Sequence, residues 1–217
     1  MAIFYIHCLK TIQAQGPYLL GGHSLGGKIA FEIARQLHQQ GDKIDRVIMI
    51  DSAAPPYFDN TVANEVQLFL EISSFYNFAS GKNLLVSSDR LQKLDRNQKI
   101  NYLHEQFQHA GLIALNDDLN QIRGIIQVFK AMLNFDYNPR IEKYPWPITL
   151  IQANDPLQDK IQLGEDRTGP FWGWQKFTSE SVDVYNVQGN HFTMLQSPHV
   201  ERLGDLLQGC LDGQSQP

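Results

Sequence analysis

The sequence predicts an α/β architecture, a mostly parallel sheet interrupted by a helical insertion, and three observations predict it. The stretch YLLGGHSLGGKIAFEIARQL, residues 18 to 37, passes from a short apolar strand through a glycine-rich turn into an amphipathic helix. The segment DRVIMID that follows reads as a strand covered on both faces, as parallel strands are. Strand, helix and strand with a tight turn at each strand's end make a βαβ unit. The same alternation returns late in the chain, in PITLIQAN and VDVYNV, after a long stretch without strand pattern.

Taken in order, residues 3 to 13 read as a helix, with Ile3, Phe4, Ile6 and Leu9 apolar, ended by Gln15-Gly16-Pro17. YLLGG is the first strand. The helix after it spans about four turns, with Ile29, Phe31, Ile33, Ala34 and Leu37 on its core side and Gly41 placed to cap its end. From Pro56 to Trp146 a structureless connection would be abnormally long, so this stretch reads as helices. One runs from about Asn64 to Tyr76, and another from Asn97 to His109, closed by Gly111. A third starts near Asp118, where Ile122, Ile125, Ile126, Phe129, Met132 and Leu133 keep helical spacing, and Asn138-Pro139 stops it. The core is thus expected from residues 1–55 and 147–217, with 56–146 as a helical insertion. The strands PITLIQAN and VDVYNV follow, then a last helix that Ser197 caps with Pro198 in its first turn.

Composition narrows the function. A net charge of −5 and a pI near 5.8 argue against nucleic-acid binding. No segment reaches the apolar length of a membrane span, and MAIFYIHCLK lacks the basic start and cleavage site of a signal peptide. Cys8 and Cys210 sit in helix-like apolar patterns, so buried thiols in a reducing cytoplasm are expected, without a disulfide.

The glycine-rich turn has two readings. Gly22, four residues, then Gly27-Lys28 approximates a phosphate-binding loop, and VIMID resembles the apolar strand that ends in a magnesium-binding Asp in such proteins. Ile29 stands where such a loop needs a magnesium-binding hydroxyl, which weighs against that reading; ATP binding that depends on Lys28 would revive it. Gly22-His23-Ser24-Leu25-Gly26 is G-x-S-x-G, which places a serine on a strained turn between strand and helix. In this reading Gly22 and Gly26 are expected to avoid collision where helix and strand pack, and the Leu25 N–H points to where an oxyanion develops.

A serine hydroxyl needs a base, and the base needs an orienting acid. His7, His38, His104 and His109 lie in helix patterns, and His199 opens the last helix. His23 adjoins Ser24 but is expected to point elsewhere because of the turn. His191 lies in a loop directly after the last strand, behind Gly189-Asn190, where an α/β sheet builds its site. Asp51 and Asp155 both follow strands, and spacing does not choose between them. HEQFQH, residues 104 to 109, has one residue too many for a zinc helix, leaving its histidines about 140° apart. No metal or other cofactor is expected.

GPYLLGGHSLGGKIAFEIARQL, VIMIDSAAP and GNHFTMLQSPHV, in this order and spacing, resemble the thioesterase domains that end nonribosomal peptide and polyketide synthases. AGLIALNDDLNQIRGIIQVFKAMLNF resembles their helical insertion, and the match covers residues 1 to 211. The resemblance implies an α/β-hydrolase fold with a lid that covers the site. It also implies release of an acyl or peptidyl chain from the phosphopantetheine arm of a carrier domain, by hydrolysis or cyclisation through an acyl-serine. It selects Asp51 as the acid, giving Ser24, Asp51 and His191, with Asp155 in reserve. Leu68, Phe69, Phe75 and Phe129 then become candidates to line an acyl channel. Members carry further strands before the nucleophile strand, and these supply the second oxyanion-hole N–H. Only a helix precedes it here, so the expectation is a fold truncated at its N-terminus, with about four strands and an open edge. The rivals are a generic carboxylesterase or lipase with the same triad, and a catalytically silent fragment that docks a carrier protein.

Overall fold

The structure, a computed structural model, describes residues 1–54, 65–133, 143–155 and 169–212, without the side chains of Met132 and Leu133. The described residues form two compact units, one of 1–54, 143–155 and 169–212, the other of 65–133.

The first unit holds a parallel sheet of four strands in the order β1 (Tyr18–His23), β2 (Ile44–Ile50), β3 (Ile148–Ala153) and β4 (Val182–Val187). Pleating explains why so many of these positions are apolar, since successive side chains face opposite sides. Ile48, Ile151 and Val187 face α7 (His199–Leu211) and meet its Leu203 and Leu206. Val47, Met49 and Leu150, out of phase with them, are fully buried too. Helix α2 (Leu25–Gln39) packs on β1 and β2, and α1 (Ala2–Ile12) packs on α2. Phe31 of α2 anchors an aromatic group with Tyr144, Trp174 and Phe177, ring centroids 5.0, 5.1 and 6.0 Å away. Gly41 follows the end of α2 at φ +89, the left-handed turn expected of it.

All four strands run the same way, so their carboxyl ends lie along one edge. The register aligns His23 with Ile50, Ile50 with Ile151, and Ala153 with Val187. Whatever follows each strand is therefore delivered to one side of the unit.

The second unit is helical: α3 (Glu65–Ser80), α4 (Ser88–Lys93), α5 (Arg96–His109) and α6 (Leu119–Leu133). Asp95 and Gln98 form a reciprocal capping box that starts α5. Leu68, Phe69 and Phe129 are buried in the core of this unit, where Phe75 packs edge-on to Phe129 at 5.1 Å.

Several expectations are corrected. The short helix α4 has too few turns to show a periodic pattern; Ser87 caps it by accepting from the Arg90 N–H. Ser197 does not cap α7, whose N-cap is Pro198, without a side-chain bond. Cys8 and Cys210 are partly exposed rather than buried: Cys8 lies off the face of α1 that buries Ala2 and Ile6, and Cys210 packs on the α7 core cluster from its less covered last turn. The expected start at Asn64 and stop at Asn138-Pro139 lie outside the described residues.

Candidate active site

The turn after β1 carries the strain that G-x-S-x-G predicts. Ser24 sits at φ 55, ψ −126, a region costly for a residue with a Cβ. Its backbone N–H donates to the Ile50 carbonyl at 2.9 Å, so β1 stays hydrogen-bonded to β2 up to the turn. The Gly27 N–H returns to the Ser24 carbonyl at 3.0 Å, which closes the first turn of α2. Leu25 opens that helix, and its N–H belongs to the first-turn donors that a helix leaves without internal partners.

The glycines divide differently from expectation. A Cβ on Gly22 would lie 2.2 Å from the Gly26 carbonyl carbon, which the backbone cannot accommodate. A Cβ on Gly26 would meet nothing within 4 Å among the described residues. The close approach falls instead on Gly27, where a Cβ would lie 2.6 Å from the buried Ser52 Oγ. Helix α2 turns Gly26 away from the sheet and Gly27 onto Ser52, in the segment that follows β2. Lys28, which a phosphate loop would aim at its ligand, is buried.

Asp51 follows β2 and is fully buried, with a positive φ of 45. Its N–H donates to the Ile151 carbonyl at 2.7 Å, and its Oδ1 accepts from the Ala153 N–H at 2.9 Å. Its Oδ2 accepts from His191 Nδ1 at 2.5 Å. A carboxylate in this role only accepts, so the bond places the imidazole proton on Nδ1 and leaves the Nε2 lone pair to take a proton. His191 is 2% exposed.

The loop after β4 reaches this position by crossing the sheet's edge from one side to the other. Gly189 turns at φ +96, and its carbonyl accepts from the Asp155 N–H, after β3, at 3.0 Å. Asn190 then braces the turn, its Oδ1 accepting from the Phe192 and Thr193 N–H groups at 3.0 and 2.9 Å. His191 meets Asp51, after β2, and its carbonyl accepts from His23 Nε2, at the end of β1, at 2.9 Å. The loop of one edge strand is thereby tied to the ends of the other three.

The structure thus brings Asp51 to His191. Asp155 is exposed, and its bond to the loop runs from its backbone N–H. Ser24 stands one residue beyond His23, whose ring stacks on that of His191 with centroids 4.3 Å apart and planes tilted by 34°. The expectation that His23 points elsewhere is therefore corrected: the loop after β4 comes to it. The variable position of G-x-S-x-G gives no signal for this, and the partner lies 168 residues away. Among the described residues, no three His, Cys, Asp or Glu side chains group so as to hold a metal ion. Among the same residues, no helix is long and apolar enough to cross a membrane.

Comparison with known proteins is consistent with this geometry. A family model described as "Thioesterase domain" matches residues 1–209. The non-reducing polyketide synthase crz7 of Cladonia metacorallifera is 29% identical over 206 residues, covering 92% of this chain and 9% of its own length. The crystal structure of a four-domain nonribosomal peptide synthetase, holo-AB3403, aligns over 100% of this chain and 16% of its own, at 26% identity and a TM-score of 0.76. The thioesterase domain SrfTE, described for the cyclisation of the lipopeptide surfactin, aligns over 99% of this chain and 76% of its own, at 20% identity and a TM-score of 0.61. The chain spans 5% to 9% of the length of the first curated relatives it matches.

Proposed function

From the premise that this chain belongs to the thioesterase domain family, we propose that it releases an acyl or peptidyl chain from the phosphopantetheine arm of a carrier protein through an acyl-serine. One observation carries the reading: a buried Asp51–His191 pair is tied through the His191 carbonyl to His23, the residue next in the chain to a serine held on a strained strand-to-helix turn.

In this reading Ser24 Oγ attacks the thioester carbon and His191 Nε2 takes its proton. Asp51 holds the ring and stabilises the imidazolium without accepting the proton. The Leu25 N–H donates to the oxyanion from the start of α2. The thioester C–S bond breaks, and the thiolate leaves with the proton from His191. Water, or a nucleophile within the bound chain, then gives its proton to His191 as it attacks the acyl-Ser24 ester, and release restores the hydroxyl. The helical segment, 56–146 on the sequence boundaries, serves as the lid. The working compartment is the cytoplasm, and no cofactor takes part beyond the arm that carries the substrate.

The test uses an acyl thioester of a phosphopantetheine mimic and intact-mass detection of the acyl-enzyme. Ser24→Ala is expected to abolish the adduct, and Asp51→Asn to lower kcat by about 10⁴-fold through the wrong tautomer. Asp155→Asn is expected to stay within about twofold of the parent, as exposed substitutions do. An adduct that survives Ser24→Ala, or a loss confined to Asp155→Asn, refutes the assignment. A preference for oxygen esters over thioesters would make the protein a carboxylesterase with the same triad.

A further inference from the structure

We propose that His23 is a positioning residue for His191, acting through the hydrogen bond from its Nε2–H to the His191 carbonyl. The proposal rests on the reading of His191 as the base and extends it to a residue that the triad does not include.

The bond to Asp51 fixes one end of the imidazole. A ring held at one nitrogen still pivots about that bond, and the opposite nitrogen, the one that takes the proton, swings farthest. Fixing it requires the Cα to be held as well. The backbone of this loop bends at Gly189, with φ +96, a residue with no side chain to anchor it. His23 supplies the anchor. A carbonyl oxygen only accepts, so His23 Nε2 carries the proton, and the bond of 2.9 Å ties the His191 backbone to the end of β1. That strand end is the same one that carries Ser24. Attacking group and base are thereby referenced to one rigid element, one residue apart in the chain on the serine side. The rings add a second restraint: His23 lies against one side of His191 at 4.3 Å, and Phe192 meets it edge-on at 5.0 Å and 86°.

Three substitutions separate the hydrogen bond from the ring. Gln carries an N–H at nearly the reach of His Nε2, Asn carries one too short to arrive, and Phe keeps the ring without the donor. With the acyl-thioester substrate, His23→Gln is expected to keep kcat within about threefold. His23→Phe and His23→Asn are expected to lower kcat about tenfold at unchanged KM, because misplacement of about 1 Å can cost up to 10²-fold. In proton NMR the downfield His191 Nδ1–H signal should remain sharp in His23→Gln and broaden in the other two. Wild-type kcat in His23→Phe with a sharp signal overturns the proposal, as does equal kcat in His23→Gln and His23→Asn. The second comparison stands if His23→Phe does not fold. The resonance needs no turnover. Failure of the Ser24→Ala test would therefore remove the acyl-transfer reading, while the signal in His23→Phe still decides whether His23 fixes the ring.

Discussion

At the scale of the residue, the site is made by side chains and backbones in conformations that cost free energy. Ser24 and Asp51 both have positive φ without being glycine, at the ends of adjacent strands. Such a conformation costs on the order of 1–3 kcal/mol and persists only when its surroundings impose it. Ser24→Gly should therefore stabilise the fold by about 1 kcal/mol, the released strain less glycine's greater entropy loss. On the proposed mechanism the same change, by removing the hydroxyl, should abolish acyl-enzyme formation. Chemical denaturation beside intact-mass labelling checks both halves, and a destabilised Ser24→Gly would mean the turn is unstrained. The serine was legible because its motif encodes a steric problem. The identity of the tight glycine was not: Gly26 completes G-x-S-x-G as letters, yet Gly27 meets Ser52. Which of two neighbouring glycines faces the sheet depends on the rotation of α2, and a pattern of letters carries no rotation.

At the scale of the element, strands announced themselves most clearly. VDVYNV coincides with β4, and DRVIMID differs from β2 by one residue at each end. Apolar, β-branched runs between turn signals leave few alternatives. The helical segment was legible as helix and less so in its lengths: α3 runs to Ser80, past the expected end at Tyr76, because Asn77 and Phe78 break no helix. Helix α3 also holds Glu71, a carboxyl that no pattern marked. It is buried, and its Oε2 has no hydrogen-bond partner among the described residues. Burial raises its pKa above the ordinary glutamate value, against a smaller opposite pull from the Gln67 amide. The folded state therefore binds this proton more tightly than the unfolded state. The stability it contributes is full below the ordinary glutamate pKa and lost as pH rises through the elevated one. Glu71→Gln should exceed the parent in stability at pH 7 by about 1 kcal/mol, a modest unpaired-group penalty, and match it near pH 4. Urea unfolding at the two pH values measures this; equal curves at pH 7 would show the carboxylate to be well solvated.

At the scale of the whole molecule, what was legible was an alternation, and what was not was convergence. The βαβ pattern gave a parallel sheet, hence a shared carboxyl edge, but not the path of the loop that crosses it, which depends on contacts 140 and 168 residues apart in sequence. Among the described residues the sheet ends on one side at β1, and helix α1 with its N-cap residue leaves Met1, Phe4, Tyr5 and Ile12 exposed within about 100° of its surface. An apolar stripe of this kind promotes association. The Phe4→Glu/Ile12→Lys double variant should lower concentration-dependent light scattering while its melting temperature stays within a few degrees, as surface changes allow; undiminished scattering would acquit the stripe. The crossing loop has a temporal side as well. During synthesis the hydroxyl at position 24 and the carboxylate at 51 leave the ribosome well before the imidazole at 191 exists. On the proposed mechanism a nascent chain would carry an inert serine, and the capacity to cleave thioesters would arrive in one late step, when β4 docks and its loop is drawn over the other strand ends.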